Sequence, residues 1–400
     1  MNSGGARAKA AEEPSDAPAA RPPGGPPCTP ERRRYERLRR GDRVAVVAPS
    51  GPAEPARLEA GCAVLRDLGL DAVVGKHALD RVNLGAPGPV RGEWHRLAGS
   101  DADRAADLQE AWCDPRVRAV VCARGGYGAT RVLDLLDWDA LHAATGAPSG
   151  RGPKILHGSS DITALHVAFG TRLGVTTSFG PMPAGVLADL GPAAADGASD
   201  ERLDGLRAAL FGGPVSLPGT RALRPGHAEG PLTGGTLSLL TALLGTPYAP
   251  PPARGRVVFL EDVTEAPYRI DRMLVQLLQA GWLDGAAGFA LGSWRDCGDP
   301  AELDAVFAAR LGPLGVPILA GVPAGHGPRQ RTLELGAPAV LDVPAVPDPH
   351  EARTHEASTH EAPPHEAPPH VDPTHEARPQ DPAVPDAGAL TLQTLPGGAR

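Results

Sequence analysis

No window of this 400-residue sequence approaches the ~18 consecutive apolar residues of a membrane-crossing helix. The first forty residues, rich in Ala, Pro, Gly and Arg, also lack the apolar core of a secretory signal. Both absences lead us to expect a soluble cytoplasmic protein without a membrane partner. Cysteine is scarce as well. Cys28, Cys62, Cys113, Cys122 and Cys297 are scattered and never spaced as CxxC, so neither a disulfide framework nor a zinc knuckle is expected, in keeping with a reducing compartment. Positive charge is in deficit: a net charge of −8 argues against a nucleic-acid surface. The local basic cluster ERRRYERLRR at 31–40 reads as part of a solvated tail.

Glycine and proline are plentiful, at 50 and 45 residues, which is more loop and linker than a compact fold needs. Residues 1–40 hold too few large apolar side chains to bury a core and read as a disordered leader, with folding expected from Gly41. A second biased region, 346–387, places His350, His355, His360, His365, His370 and His375 at every fifth position and sets nine acidic residues against Arg353 and Arg378. Five residues of extended chain span ~16–18 Å, so neighbouring histidines cannot share one ion unless the segment folds back. A mobile polar insert is therefore expected there. The flanking stretches RTLELGAPAVLD (331–342) and GALTLQTL (388–395) alternate like half-buried strands, so the insert is expected to join two paired strands.

Between these regions strands and helices alternate. RVAVVA at 43–48 reads as a buried strand, and Leu58, Cys62, Leu65 and Leu68 mark one face of a helix. DAVVG at 71–75, a helix around Ala105, Leu108, Ala111 and Trp112, and the strand VRAVVCA at 117–123 continue the rhythm. A helix through Val132, Leu135 and Leu136, a strand at Ile155–Leu156 and a helix from Ile162 follow. This order predicts an α/β fold with a parallel sheet covered by helices, whose functional residues gather at the carboxyl ends of the strands. A second half is expected to begin near Gly230. There GGTLSLLTALLG reads as a helix packed on small residues, followed by the strands RVVFLED, AAGFALG and VPILAG, with an amphipathic helix carrying Ile270, Met273, Leu274, Leu277 and Leu278 between the first two. The expected domains are 41–182, 183–230 as a connection, and 231–400 as a β-rich region holding the insert.

Three strand-end loops carry candidate chemistry. Arg124-Gly125-Gly126-Tyr127-Gly128 can turn sharply and present bare N–H groups to a phosphate or an oxyanion, but it is not GxGxxG, so a dinucleotide cofactor is weakly supported. In PKILHGSSDITALH at 153–166, Ser159, Ser160 and Asp161 fall on a strand-to-helix turn. A serine there usually caps the helix, yet one cap suffices, and a nucleophile elbow presents its hydroxyl in the same way. The third loop begins at Glu261-Asp262, an acidic pair ending a buried strand, where an orienting carboxylate would sit. Of the thirteen histidines, His326 has the most suitable setting for a base, on the glycine-flanked loop VPAGHG.

Taken together, VAVVAPSGP (44–52), LAGSDADRAADLQEAWCDPRVRAVVCARGGYGATRVLDLLDW (97–138), GSSDITALH (158–166), GGTLSLLTALLGTPY (234–248), VVFLEDVTEAPYRIDRML (257–274) and GVPAGHG (321–327) resemble the serine peptidases of the LD-carboxypeptidase family, which includes the microcin-immunity peptidases. The resemblance runs from about Gly41 to Leu395 outside the histidine repeat. It implies a Ser-Glu-His triad divided between a parallel-sheet N-terminal domain and a β-rich C-terminal domain. Carried over, Ser160 is the nucleophile, His326 the base and Glu261 its orienting carboxylate, with oxyanion donors from the N–H of Asp161 and from Gly125 or Gly126. Neither a metal nor another cofactor is implied. This chain departs from the family in having Ser159 where an aromatic residue is usual, and in a longer segment between RGGYG and the serines.

The resemblance implies a small peptide substrate, either a murein stem peptide cut before a terminal D-alanine or a peptidyl-nucleotide antibiotic, and it leaves a homodimer open. For the nucleotide substrate, Tyr127 and Trp294 are the nearest candidates to stack on a base. A catalytically silent binding protein on the same scaffold is the alternative from another class, and failure of a serine-directed phosphonate to label the chain would favour it.

Overall fold

The computed structural model describes residues 32–83, 96–146, 152–190, 200–345 and 388–392; the histidine repeat and residues 1–31 lie outside these. Strand β1 (Arg43–Val47) and the helix α1 (Pro55–Asp67) follow the expected apolar pattern, with Leu58, Cys62 and Leu65 buried. β2 (Asp71–Val74), a short antiparallel pair β3 (Val82–Asn83) and β4 (Arg96–Leu97), and helix α2 (Asp101–Cys113) come next. Ser100 and Asp103 form a reciprocal capping box that starts α2, and Trp112 on its buried face packs edge-on against Phe169. β5 (Val117–Cys122) is buried along its whole length, as a central parallel strand requires.

The helix expected through Val132 to Leu136 is broken. Ala129–Val132 forms a single turn, α3, continued by a 3-10 turn at Leu133–Leu135, and Asp137 then caps a separate helix α4 (Trp138–Thr145). β6 (Ile155–Gly158) leads through a 3-10 turn into α5 (Thr163–Arg172), and β7 (Thr177–Phe179) completes five parallel strands in the order β7-β6-β5-β1-β2.

The remaining chain holds α6 (Glu201–Phe211), β8 (Val215–Pro218), β9 (Arg221–Arg224), β10 (Gly226–Thr236), α7 (Leu237–Leu243), β11 (Val257–Val263), α8 (Pro267–Gln279), β12 (Gly288–Arg295), α9 (Pro300–Leu311) and β13 (Ile318–Ala320). It ends in β14 (Leu333–Leu335), β15 (Pro338–Val343) and β16 (Ala389–Leu392). The second sheet runs β8-β16-β15-β10-β11-β12-β13-β9, with four parallel strands at its centre and antiparallel partners outside them. The chain is thus an α/β protein with a helix-covered parallel sheet and a β-rich C-terminal region. Helices α5 and α7 pack on each other, so that Leu165, Phe169, Leu237 and Leu240 share one core with the inner faces of both sheets. Among the described residues no helix is long and apolar enough to cross a membrane.

Three sequence readings are corrected here. First, GGT at 234–236 is not the start of a helix but the end of the eleven-residue strand β10. A Cβ on Gly234 would lie 1.8 Å from the carbonyl oxygen of Phe259, so the glycine that weakens the strand signal is what lets β10 approach β11. Second, 331–342 is not one strand. Leu333–Leu335 pairs antiparallel with β7 at the edge of the first sheet, whereas Pro338–Val343 pairs with β10 and β16 in the second.

Third, the chain joins the fold before Gly41. Tyr35 and Leu38 are buried, Arg33 bridges to Val175, and Arg34 and Arg37 grip the buried carboxylate of Glu334 at 2.8 and 2.5 Å. The basic cluster is therefore a strap holding β14 rather than a solvated tail. Replacing both Arg34 and Arg37 by alanine leaves Glu334 buried without its cations, and the expected loss is about 3 kcal/mol, read as a lower urea midpoint.

The two strands that flank the histidine-rich segment, β15 and β16, pair antiparallel with Asp342 opposite Ala389. Deleting 346–387 and joining the strands by a short turn is expected to leave turnover intact. A collapse in turnover with the circular dichroism unchanged would give the segment a catalytic part.

Candidate active site

Strand β6 delivers Ser160 to the carboxyl end of the first sheet. Ser159 is extended, at φ −149° and ψ −176°, and Ser160 then adopts φ +62°, a left-handed conformation that a residue with a Cβ occupies only when its surroundings enforce it. The turn throws its hydroxyl outward as a nucleophile elbow does, without the glycine that ends a GxSxG pattern. No side chain caps the turn, so neither serine acts as an N-cap.

His326 reaches Ser160 from the loop after β13. Its Nε2 lies 2.9 Å from Ser160 Oγ, and its Nδ1 lies 2.6 Å from Glu261 Oε2, which also accepts the His326 backbone N–H at 3.1 Å. Glu261, near the end of β11, is wholly buried, while His326 is partly open. Burial pushes the imidazole toward its neutral form, but the charge and hydrogen bond of Glu261 outweigh this and leave its pKa above the ordinary histidine value. The three residues carried over from the family resemblance thus stand in one hydrogen-bonded row.

Among the described residues the other histidines lie elsewhere. His157 is buried between the Ser178 hydroxyl and the carbonyl of Pro181, and burial lowers its pKa to about 4. His166 donates to the carbonyl of Gly158 at 3.0 Å and is lowered to about 3, again by burial. Both are neutral structural rings. His227 sits on the surface between Asp342 and Glu229.

The glycine loop meets the serine directly. A Cβ on Gly125 would lie 2.9 Å from Ser160 Cβ and 3.1 Å from its Oγ, so only glycine allows the loop this close. Gly126, at φ +111°, faces Arg124 and Gly51 instead. Asp161 turns its side chain inward, accepting from the hydroxyl of Ser50 at 2.6 Å and the N–H of Ala129 at 2.7 Å, and burial raises its pKa. Asp262 also points inward, with its pKa pushed up to about 6 by burial, and it accepts the N–H groups of Ser238 and Val263.

Two contacts were not foreseen. The hydroxyl of Thr236 donates to Glu261 Oε1 at 2.5 Å and lies 3.3 Å from the carbonyl of Ser160, so both carboxylate oxygens are occupied. Its place at the end of a glycine-rich strand gave no hint of this, because the partner lies on a neighbouring strand. Gln330 donates to the buried Ser159 hydroxyl at 3.0 Å, tying the loop that follows His326 to the turn that carries Ser160. Among the described residues no group of His, Cys, Asp and Glu is disposed to hold a metal ion.

Residues 44–180 match the LD-carboxypeptidase N-terminal domain, and residues 229–341 match the LD-carboxypeptidase C-terminal domain. The chain belongs to the LD-carboxypeptidase family. It is accordingly a peptidase. A Streptomyces coelicolor chain assigned as a carboxypeptidase is 51% identical to this LD-carboxypeptidase family member over 77% of its length and 93% of the relative's. The murein tetrapeptide carboxypeptidase of Pseudomonas aeruginosa is 34% identical over 75% and 93% of the two chains. Among solved structures, the muramoyltetrapeptide carboxypeptidase from Oxalobacter formigenes superposes with a TM-score of 0.61 at 26% identity, covering 76% of this chain and 96% of that one. MccF in complex with glutamyl sulfamoyl guanosine shares the fold, at a TM-score of 0.64 and 22% identity over 77% and 95%.

Proposed function

We propose that this LD-carboxypeptidase family member releases the terminal D-alanine of murein tetrapeptides in the cytoplasm, using Ser160, His326 and Glu261 as its triad. The observation that carries the reading is the unbroken row of hydrogen bonds from Ser160 Oγ through both ring nitrogens of His326 to Glu261. In the first half-reaction Ser160 Oγ attacks the carbonyl carbon of the residue before D-alanine while His326 Nε2 takes its proton. The resulting oxyanion is held by the N–H of Asp161 and by Gly125 or Gly126. His326 returns the proton to the amine of D-alanine as the C–N bond breaks, leaving an acyl ester on Ser160. Water, deprotonated by the same ring, then cleaves the ester. Glu261 keeps Nδ1 protonated throughout and stabilises the imidazolium, and Thr236 steadies the carboxylate. No metal enters this scheme.

The similarity to the Pseudomonas aeruginosa murein tetrapeptide carboxypeptidase supports the choice of substrate. A second reading, hydrolysis of an aminoacyl-nucleotide, is favoured by one feature. Tyr127 is 45% exposed between two glycines of the loop beside Ser160, where a nucleobase could stack on it. Trp294 serves less well, since its ring is half-buried against Phe307. Incubation with a murein tetrapeptide, with D-alanine release followed, tests the first reading; cleavage of an aminoacyl sulfamoyl nucleoside with no D-alanine release would put the second in its place.

A further inference from the structure

The glycine loop 124–128 has little in its own sequence to hold it still. Gly125, Gly126 and Gly128 permit many backbone paths, yet an oxyanion donor works only within a few tenths of an ångström of its target. What fixes the loop lies outside it. The loop follows β5, and the loop Pro49–Gly51 follows the neighbouring parallel strand β1. Gly51 N–H donates to Gly125 O at 3.2 Å. Arg104 Nη1 donates to Pro49 O at 2.5 Å and to Gly128 O at 2.9 Å. Asp161 Oδ2 accepts the Ser50 hydroxyl and the Ala129 N–H, the next residue along each loop. Arg104 is in turn held by Asp101, which also takes Arg131.

We propose that the side chains of Asp161 and Arg104 are positioning residues that clamp the two loops together and so set the glycine loop against the carbonyl attacked by Ser160. This rests on the catalytic reading above and deepens it. Arg104 and Asp161 are buried at 1% and 3% exposure, in a place where apolar filling would serve stability as well. Their hydrogen bonds have direction, which apolar contacts lack, and direction is what a donor loop needs. Neither side chain touches a reacting atom. Ser50 is the accessory partner, since its hydroxyl gives the carboxylate of Asp161 a second donor.

The test uses the full chain with Ser50→Ala, Ser50→Thr and Arg104→Met. Two readouts are taken: D-alanine release from a murein tetrapeptide, and the second-order rate of labelling by an alkyl fluorophosphonate. In labelling, a bond forms from Ser160 Oγ to phosphorus, fluoride leaves, His326 takes the proton, and the phosphoryl oxygen stands where the oxyanion would. Ser50→Ala is expected to lower kcat and the labelling rate together by about tenfold, and Arg104→Met by about a hundredfold, with KM and the pH midpoint of activity little changed. Ser50→Thr keeps the hydroxyl and restores both. Labelling of Ser50→Ala and Arg104→Met at the wild-type rate overturns the clamp, even if their thermal midpoints fall, because that outcome is stability alone. A rise in KM at constant kcat overturns it as well. Undiminished labelling of Ser160→Ala sinks the nucleophile assignment itself, which separates failure of the catalytic reading from failure of the clamp.

Discussion

For the proposed reaction, Ser160→Ala is expected to lower kcat for D-alanine release by roughly 10⁴- to 10⁶-fold, while Ser159→Ala is expected to retain most of the activity. The size of the first effect follows from chemistry, since a methyl group cannot attack a carbonyl, and what remains is background hydrolysis aided by the oxyanion donors alone. The small size of the second follows from position. Ser159 is extended and its hydroxyl accepts from Gln330 in a buried contact, whereas it is Ser160 Oγ that meets His326. Its loss leaves the Gln330 amide without that partner, which costs about 1–3 kcal/mol of stability rather than a catalytic group. Release unaffected by Ser160→Ala would overturn the assignment of the nucleophile. If the wild-type chain releases no D-alanine at all, the murein reading fails while the serine chemistry can still be judged by phosphonate labelling.

Glu261→Gln combines a large loss of rate with a shift in pH dependence. The amide can offer its NH₂ to Nδ1 and so favour the tautomer that carries its proton on Nε2, which cannot accept from Ser160; the expected fall in kcat is on the order of 10⁴-fold. The pH shift has a definite sign. His326 must be neutral to take the serine proton, and in the wild type Glu261 outweighs burial to hold its pKa above the ordinary value. With His326 as the proposed base, activity is therefore expected to rise with pH through a limb that lies higher than that of a free imidazole. Removing the charge of Glu261 leaves burial to dominate, and the limb in kcat/KM moves to lower pH. A profile that keeps its midpoint in Glu261→Gln would show that His326 is not the group titrating.

The same imidazole carries a linkage consequence. A pKa raised by folding contributes stability below the unfolded histidine value, and that contribution is lost as the pH rises through the folded one. The pH range in which His326 loses its proton, as the proposed base must, is therefore the range in which its ion pair with Glu261 ceases to support the fold.

Much of this could be read along the chain. Continuous apolar runs such as VRAVVC and a helical face such as Leu58, Cys62 and Leu65 depend on residues close in sequence, and β5 and α1 stand where the pattern puts them. The corners holding Ser160, Glu261 and His326 were legible too, because glycines and polar residues directly after an apolar strand mark its carboxyl end. Other features had no local mark. Thr236 meets Glu261 only because β10 lies beside β11, and Glu334 meets Arg34 and Arg37 across some three hundred residues of chain.

The sequence by itself determined the α/β class, the succession of strand-end loops and the residue types available for an acyl transfer, since each is written in local periodicity and turn chemistry. Only the tertiary structure decided that Gly226–Thr236 is a strand, that the segment after His326 returns to the first sheet, and that Arg104 and Asp161 join two loops beside Ser160. The physical reason is common to all three. Backbone partners, buried ion pairs and side-chain hydrogen bonds between distant positions are chosen by how the sheets pack, and a glycine or a buried charge has no periodicity that announces its partner.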